Sequence, residues 1–449
     1  MNNFVRVGSG AGMADDRIAP AQAIAERGGL DYLVMECLAE RTIARETLDR
    51  SKDPSRGYTP SLRQRIRAVL PACRANGTRI VTNMGAANPR SAAAVIAEEA
   101  QALGLATPFS AVVLGDDVAE LVRGEGGLAT LEDGLPLEEI LPRMASANAY
   151  LGADAVRDAL GTGAEIVVTG RVADPSLFLG PMLHHFGWSY DDLDRLAAGT
   201  VAGHLLECSG QLTGGCFADP GRKEVEDLAG LGYPFADVSM DGRVTLSKTP
   251  QSGGRIDRAT CTEQLLYEIH DPSRYITPDC VLDITGVDFV QRGKDRVEVV
   301  GAAARARTDS YKVVVGYFDG YIGIGEMGFA GINAVARARL GAEVVKERLS
   351  RLGFVYPEMR VDLIGMSSLH GDAASRPEPY EVRLRIAARS NDRTAAAAVG
   401  AEVRGLHMQG PAGAGGGYSL GVQEVLAVKS VLLPRNRVTH RVETIGHAH

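Results

Sequence analysis

No run of about 18 apolar residues occurs anywhere in the 449-residue chain, so no segment reads as a membrane span. The opening MNNFVRVGSG has no apolar stretch ending in small residues, so no secretory leader is expected and the cytoplasm is the expected compartment. Cysteine is sparse: six residues (Cys37, Cys73, Cys208, Cys216, Cys261 and Cys280) are scattered with no CxxC pair. That density excludes a disulfide scaffold and makes most of them buried thiols acting as small hydrophobes. A long Lys/Arg run is also missing, and the formal net charge is −8, which argues against nucleic acid as a partner. No internal repeat of solenoid period is present.

What remains is the composition of a folded soluble protein, 45% hydrophobic and 23% charged, long enough for two or three domains. Over the first 180 residues one pattern recurs. A short β-branched run ends in glycine or polar residues, and an alanine-rich helical stretch follows. FVRVGSGAG precedes IAPAQAIAERG, LDYLVMEC precedes LAERTIARETL, and RIVTNMGAAN precedes PRSAAAVIAEEAQALG. SAVVLGDDV precedes AELVRG, and EIVVTGRVAD follows AYLGADAVRDALGTG. Apolar strands alternating with amphipathic helices predict a mostly parallel sheet with helices on both faces. Five or six units rather than eight favour a doubly wound α/β sheet over a closed barrel.

The rhythm changes after about residue 200. TCTEQLLYEIHD reads as a short helix, and Arg292–Lys294 as the turn of a hairpin. SYKVVVGYFDGYIGIGEMG reads as a strand with a glycine-rich exit before the helix INAVARARLGAEVVKERLSRLG. The last ninety residues read as strand, strand, helix, strand, after a linker at HGDAASRPEPY or near Gly353–Pro357. The expected division is a parallel α/β domain over 1–200, an α+β extension over 201–356 and a small α+β domain over 357–449.

The predicted strands all end in small or polar residues: Gly8, Gly10 and Gly12; Glu36; Asn83 and Asn88; Asp116 and Asp117; Arg171 and Asp174. In an open parallel sheet such ends form one binding rim, although each turn singly needs Gly, Asn or Asp for caps and positive φ. GSGAG at 8–12 sits where a dinucleotide fold would carry GxGxxG, with its third glycine one residue early and Glu36 as the ribose partner. Arg17 and the helix start beside it are alternatives for holding a phosphate or carboxylate. Adjacent Asp116 and Asp117 would point to opposite faces, one to the rim and one to cap a helix. Arg171 and Asp174 read either as a substrate carboxylate clamp with an acid/base, or as a local salt bridge. GPAGAGGGYSLG at 410–421 reads as an anion nest or a mobile coil.

The stretch HLLECSGQLTGGCF, residues 204–217, keeps three readings open. His204, Cys208 and Cys216 are the start of a metal ligand set lacking a visible fourth member. Cys208 is a nucleophile if His204 lowers its pKa, against the opposing charge of Glu207. SGQLTGGCF is otherwise a helix end followed by a packed glycine turn.

Together, GDDV, NAYLGA (148–153), TGRVADPSL (169–177), GHLLECSGQLTGGCFADP (203–220), SGG (252–254) and EQLLYEIHDP (263–272) resemble the AtuA family, acyclic terpene utilisation protein A. VGSGAGMADDR, LDYLVMECLAERT and TNMGAANP are similar to it as well, so the resemblance spans roughly 3–360 in order. The C-terminal module resembles the small ferredoxin-like domain that often follows. The resemblance implies a role in breaking down branched, terpene-derived or related carboxylic acids, and marks these motifs as site candidates without naming the reaction.

The expectation is a catabolic enzyme acting on a small branched carboxylic acid or its CoA thioester by hydratase or lyase chemistry. Such reactions need an acid/base pair and a pocket for a carboxylate or enolate. The catalytic candidates are Cys208, Glu207, His204, Asp174 and Asp116. The substrate-binding candidates are Gly8, Gly10, Gly12, Arg17, Asn83, Asn88, Asp117, Asn148, Arg171, Gln211, Gly214 and Gly215. No metal ligand is assigned and no cofactor is established, with a divalent metal left open and CoA entering as part of the substrate. Two rivals stand beside it: an NAD(P)-dependent oxidoreductase resting on GSGAG, and a non-catalytic binding or assembly subunit. A homo-oligomer is expected in each case.

Overall fold

The computed structural model describes residues 4–371 and 377–446. Its first part runs β1 (Phe4–Ala11), α1 (Ile18–Arg27), β2 (Tyr32–Met35), α2 (Glu40–Lys52), α3 (Leu62–Asn76), β3 (Arg79–Thr82) and α4 (Pro89–Ala102). It continues through β4 (Ser110–Leu114), α5 (Ala119–Gly124), β5 (Met144–Ala149), α6 (Ala153–Gly161), β6 (Ile166–Thr169), α7 (Asp174–Phe186) and α8 (Leu193–Glu207). Strands follow at β7 (Pro234–Ser239) and β8 (Val244–Lys248), then α9 (Arg258–Leu266) and β9 (Tyr275–Ile276). After them come β10 (Cys280–Asp283), β11 (Asp288–Gly293), β12 (Arg296–Val300) and β13 (Ala303–Ala306). The remainder is β14 (Ser310–Ala330), α10 (Ala334–Arg351), β15 (Glu358–Ile364), β16 (Glu381–Ser390), α11 (Arg393–Gln409), β17 (Gly415–Pro434) and β18 (Arg441–Ile445).

The fold is mixed α/β. The main sheet has ten strands in the order β11-β12-β8-β7-β1-β2-β3-β6-β4-β18. Its centre, β1-β2-β3-β6-β4, is parallel. Antiparallel strands extend it at both sides, β7 beside β1 and β18 beside β4. Strands β2, β4 and β6 are buried along their whole length, which explains why their sequences are unbroken apolar runs rather than alternating ones. Helices α1, α3 and α4 pack in series, as do α6, α7 and α8. Ile24, Ile66, Val69 and Ile96 from the first series close over Leu33, Met35, Ile80 and Val168 of the sheet, all essentially inaccessible to solvent. Each such side chain contributes about 1.5–3 kcal/mol through burial.

Local signals set the helix ends. Pro89 opens α4 behind the Asn88 cap, Gly77 closes α3 with φ of 69°, and the Asp192 side chain caps α8 by accepting from the Arg195 N–H.

By contact the chain forms two compact units, Met1–Gly316 with Val428–His449, and Tyr317–Ala427. Strands β14 and β17, of 21 and 20 residues, each run through both units. The second unit has strand–helix–strand–strand–helix–strand order and the strand sequence β15-β16-β14-β17. Its core joins Phe329, Leu384 and Ile386 to Val345 and Val403 of its two helices. The glycine-rich stretch 410–421, expected as a nest or coil, becomes the start of β17 from Gly415. Of the expected linker at 370–380, residues 372–376 lie outside the described residues. Among the described residues no helix is long and apolar enough to cross a membrane.

Candidate active site

Four of the five parallel strands, β2, β3, β4 and β6, deliver a buried polar group just past their carboxyl ends. After β2 comes Glu36, whose Oε1 accepts from the Leu38 N–H at 2.8 Å and from Asn83 Nδ2 at 2.9 Å. Asn83, after β3, also accepts the Cys37 N–H at 2.7 Å, so one amide ties two strand ends together. After β4, Asp116 accepts from the Arg171 N–H at 2.8 Å and from Asn148 Nδ2 at 3.1 Å. After β6, the fully buried Arg171 guanidinium donates to the Leu38 carbonyl and to Asp174, and lies 4.3 Å over the Tyr150 ring. Its Nε has no hydrogen-bond partner among the described residues.

Asp174 opens α7, and Glu207 ends α8. These two helix ends meet because Gly203 has no side chain: a Cβ there would lie 2.5 Å from the Pro175 carbonyl oxygen and 2.9 Å from its Cα. Gly12 performs the same service for β1, where a Cβ would stand 2.7 Å from the Cys208 carbonyl carbon. Close backbone approach is thus what brings the α8 terminus against α7 and β1.

His204 is 1% exposed, and its Nε2 lies 3.1 Å from the Leu265 carbonyl while Nδ1 lies 2.9 Å from Glu207 Oε1. A carbonyl can only accept, so Nε2 carries a hydrogen. The Nδ1–Oε1 contact then holds a single proton, either on the ring facing a carboxylate or on the carboxyl facing a neutral ring. Burial works against the imidazolium, and the Glu207 charge and Leu265 carbonyl more than offset it, raising the His204 pKa. Burial also raises the Glu207 carboxyl, against the pull of His204. Glu207 Oε2 has no hydrogen-bond partner among the described residues.

The other carboxyls shift the same way. Burial lifts Glu36 well above the usual carboxylate range, helped by the Asp174 charge and opposed by Arg171. Burial pushes Asp116 up to about 6. The Asp174 carboxyl rises through desolvation despite Arg171, although 38% of its side chain stays accessible because it faces a cavity. That cavity, of about 200 Å³, is walled by Tyr150, Tyr275 and Tyr311 with Lys312, Pro175 and Ile276. Tyr150 donates to Glu40, which also pairs with Lys312 Nζ at 2.7 Å, and the His204 ring centre lies 5.3 Å from that of Tyr275. Acids next to an accessible cavity with pKa values drawn toward neutrality are what proton transfer at ordinary pH requires.

The sequence candidates separate accordingly. Glu207, His204, Asp174, Arg171, Asn83, Asp116 and Asn148 belong to one connected neighbourhood. Cys208 caps α8 beside it, but burial and then the Glu207 charge raise its thiol, and both His204 nitrogens are engaged elsewhere. The thiolate reading therefore loses its base. Cys216 is exposed at φ of 60°, and among the described residues no group of three His, Cys, Asp or Glu side chains is arranged to hold a metal. Gln211, Gly214 and Gly215 form the packed turn, with the Gly215 N–H on the Gly210 carbonyl at 2.9 Å. The opening half of HLLECSGQLTGGCF thus carries the buried His204–Glu207 pair, and the closing half is turn.

Gly8 and Gly10 lie inside β1, where a Cβ would meet Leu30 at 2.7 Å and Met35 at 2.9 Å. The expected dinucleotide turn is therefore a strand packed too tightly for side chains, and Glu36 is turned to Asn83 and Leu38 instead of a ribose. The oxidoreductase reading loses the motif it rested on. Arg17 is exposed and donates to the Ala229 carbonyl. Asn88 caps α4, and the Asp117 side chain accepts the Ala119 N–H at 3.2 Å just ahead of α5, whose cap residue is Val118.

Tyr150, Tyr275, Glu40 and Lys312 are not among the sequence candidates. Tyr275 and Lys312 come from segments with no strand-to-helix signature, and only NAYLGA carried a hint of Tyr150. Residues 5–444 match the family model described as acyclic terpene utilisation family protein AtuA. No curated protein matches the chain.

Proposed function

The chain belongs to the AtuA family, and from that premise we propose that it is a catabolic enzyme acting on a small branched carboxylic acid or its CoA thioester. The chemistry proposed is hydration, dehydration or carbon–carbon cleavage by acid/base catalysis. The observation that carries this reading is the buried His204–Glu207 pair, sharing one proton within reach of the charge of Asp174, which itself lines the cavity. Asp174 is the group in reach of a ligand, so it is assigned the proton transfer to or from the substrate. His204 and Glu207 hold the proton inventory behind it, and Arg171 fixes the Asp174 carboxylate in place. Lys312 on the cavity wall supplies positive charge for a carboxylate or a developing enolate.

The sheet order supports reading the first unit as doubly wound. Progress from β1 to β4 reverses on returning to β6, and right-handed crossovers then put α6 opposite α1, α3 and α4. The strand–helix order and strand sequence of the second unit likewise support a ferredoxin-like reading. We further propose self-association, which such a module would serve.

The test is turnover of branched 2-enoyl and 3-hydroxyacyl thioesters and their free acids, followed by mass spectrometry for gain or loss of water or for chain cleavage. Wild type is expected to convert at least one, and Asp174→Asn to lose about 10²–10⁴-fold in rate. Tight binding of several ligands with no conversion of any would instead support the binding-subunit reading.

A further inference from the structure

The cavity beside Asp174 is small. Its volume is about 200 Å³. Its aromatic walls are each held from behind: Tyr150 by its hydrogen bond to Glu40, Tyr311 by the Arg435 guanidinium 4.0 Å over its ring, and Tyr275 by the neighbouring His204 ring. An apolar cavity of roughly 150 Å³ accepts a benzene-sized molecule, so this one takes roughly eight non-hydrogen atoms. Ile276 and Leu432 add apolar lining to a wall that also carries Asp174 and Lys312.

Resting on the proposed activity, we infer that the cavity selects a short branched acyl group, carboxyl carbon included, of about four to six carbons. An intact acyclic terpenoid skeleton of about ten carbons exceeds the space by several atoms. The substrate must then be supplied by a reaction class that has already shortened a longer branched chain by carbon–carbon cleavage. The enzyme thus stands late in such a sequence.

Equilibrium binding of isobutyrate, isovalerate, 4-methylpentanoate and 3,7-dimethyloctanoate to the full chain tests this independently of turnover. Affinity is expected to rise by about fourfold per added methylene up to 4-methylpentanoate, the transfer value for buried hydrocarbon. It is expected to fall at least tenfold for 3,7-dimethyloctanoate. Ile276 and Leu432 are 48% and 47% exposed, so the Ile276→Ala/Leu432→Ala variant truncates the lining without opening the core. It is expected to strengthen binding of the longest acid relative to the shortest. Equal or tighter binding of 3,7-dimethyloctanoate by wild type, an unchanged preference in the double variant, or no binding by any acid each overturns the inference. A length cut-off in binding with no turnover of any thioester refutes the proposed activity alone, whereas turnover with no cut-off refutes the size selection alone.

Discussion

The proton between His204 and Glu207 is fixed by a neighbour that takes no part in the chemistry. The Leu265 carbonyl claims the Nε2 hydrogen at 3.1 Å, which leaves Nδ1 and Oε1 one proton to share. Glu207→Gln keeps the size and still donates to Nδ1, but its amide cannot accept or release a proton. The expected outcome is a rate loss of about 10²-fold or more with little change in KM, and loss of the ionisation near neutral pH from the kcat profile. Glu207→Asp shortens the arm by one methylene and is expected to retain an ionisation at reduced rate. A purely structural role would instead lower thermal stability in both variants and leave the pH profile in place.

At the scale of elements, two glycines set the site by leaving room for backbone. Gly203→Ala would drive a Cβ to 2.5 Å from the Pro175 carbonyl, separating the α8 end from the α7 start. A destabilisation of about 1–3 kcal/mol is expected in denaturant titration, together with reduced activity, since His204 and Glu207 move with that turn.

Much of this layer was legible in the sequence. The recurring strand-then-polar pattern located Glu36, Asn83, Asp116, Arg171 and Asp174 at strand ends, because a parallel sheet exposes all its carboxyl ends on one side. GSGAG misled because glycine serves both a turn and a strand pressed against neighbours, and spacing alone does not distinguish them. The cavity wall was illegible for another reason. Tyr275, Tyr311 and Lys312 reach it from β9 and β14, more than a hundred residues beyond Tyr150, and nothing local announces that approach.

For the whole molecule, the site is a cost to stability whose sign is fixed. Asp116 has a folded-state pKa of about 6 against an ordinary 3.8, and Glu36 and Glu207 are also raised. A carboxyl raised in the folded state binds more protons folded than unfolded between those two values. Its contribution is therefore fully present below the ordinary carboxylate range and lost as pH rises through the folded value. The raised His204 works in the same direction, contributing below its ordinary 6.5 and losing that contribution as pH rises through the folded value. The midpoint of thermal unfolding is expected to fall from about pH 5 to pH 8. Glu36→Gln is expected to flatten that slope, because the amide oxygen still accepts from Leu38 and Asn83 while nothing remains to ionise. A rising midpoint over that range, or an unchanged slope in the variant, would contradict the assignment. Groups that destabilise the fold near neutral pH are characteristic of sites kept for chemistry.

The most direct test of the central claim, that Asp174 moves a substrate proton supported by the His204–Glu207 pair, is solvent exchange. Wild type, Asp174→Asn and Glu207→Gln would each be incubated in deuterium oxide with a saturated short branched acyl thioester, and the recovered thioester examined by mass spectrometry. The account predicts deuterium at the carbon next to the carbonyl with wild type and at least a hundredfold slower incorporation with either variant. Incorporation at the wild-type rate in Asp174→Asn, or none with wild type on any short thioester that it binds, would contradict it.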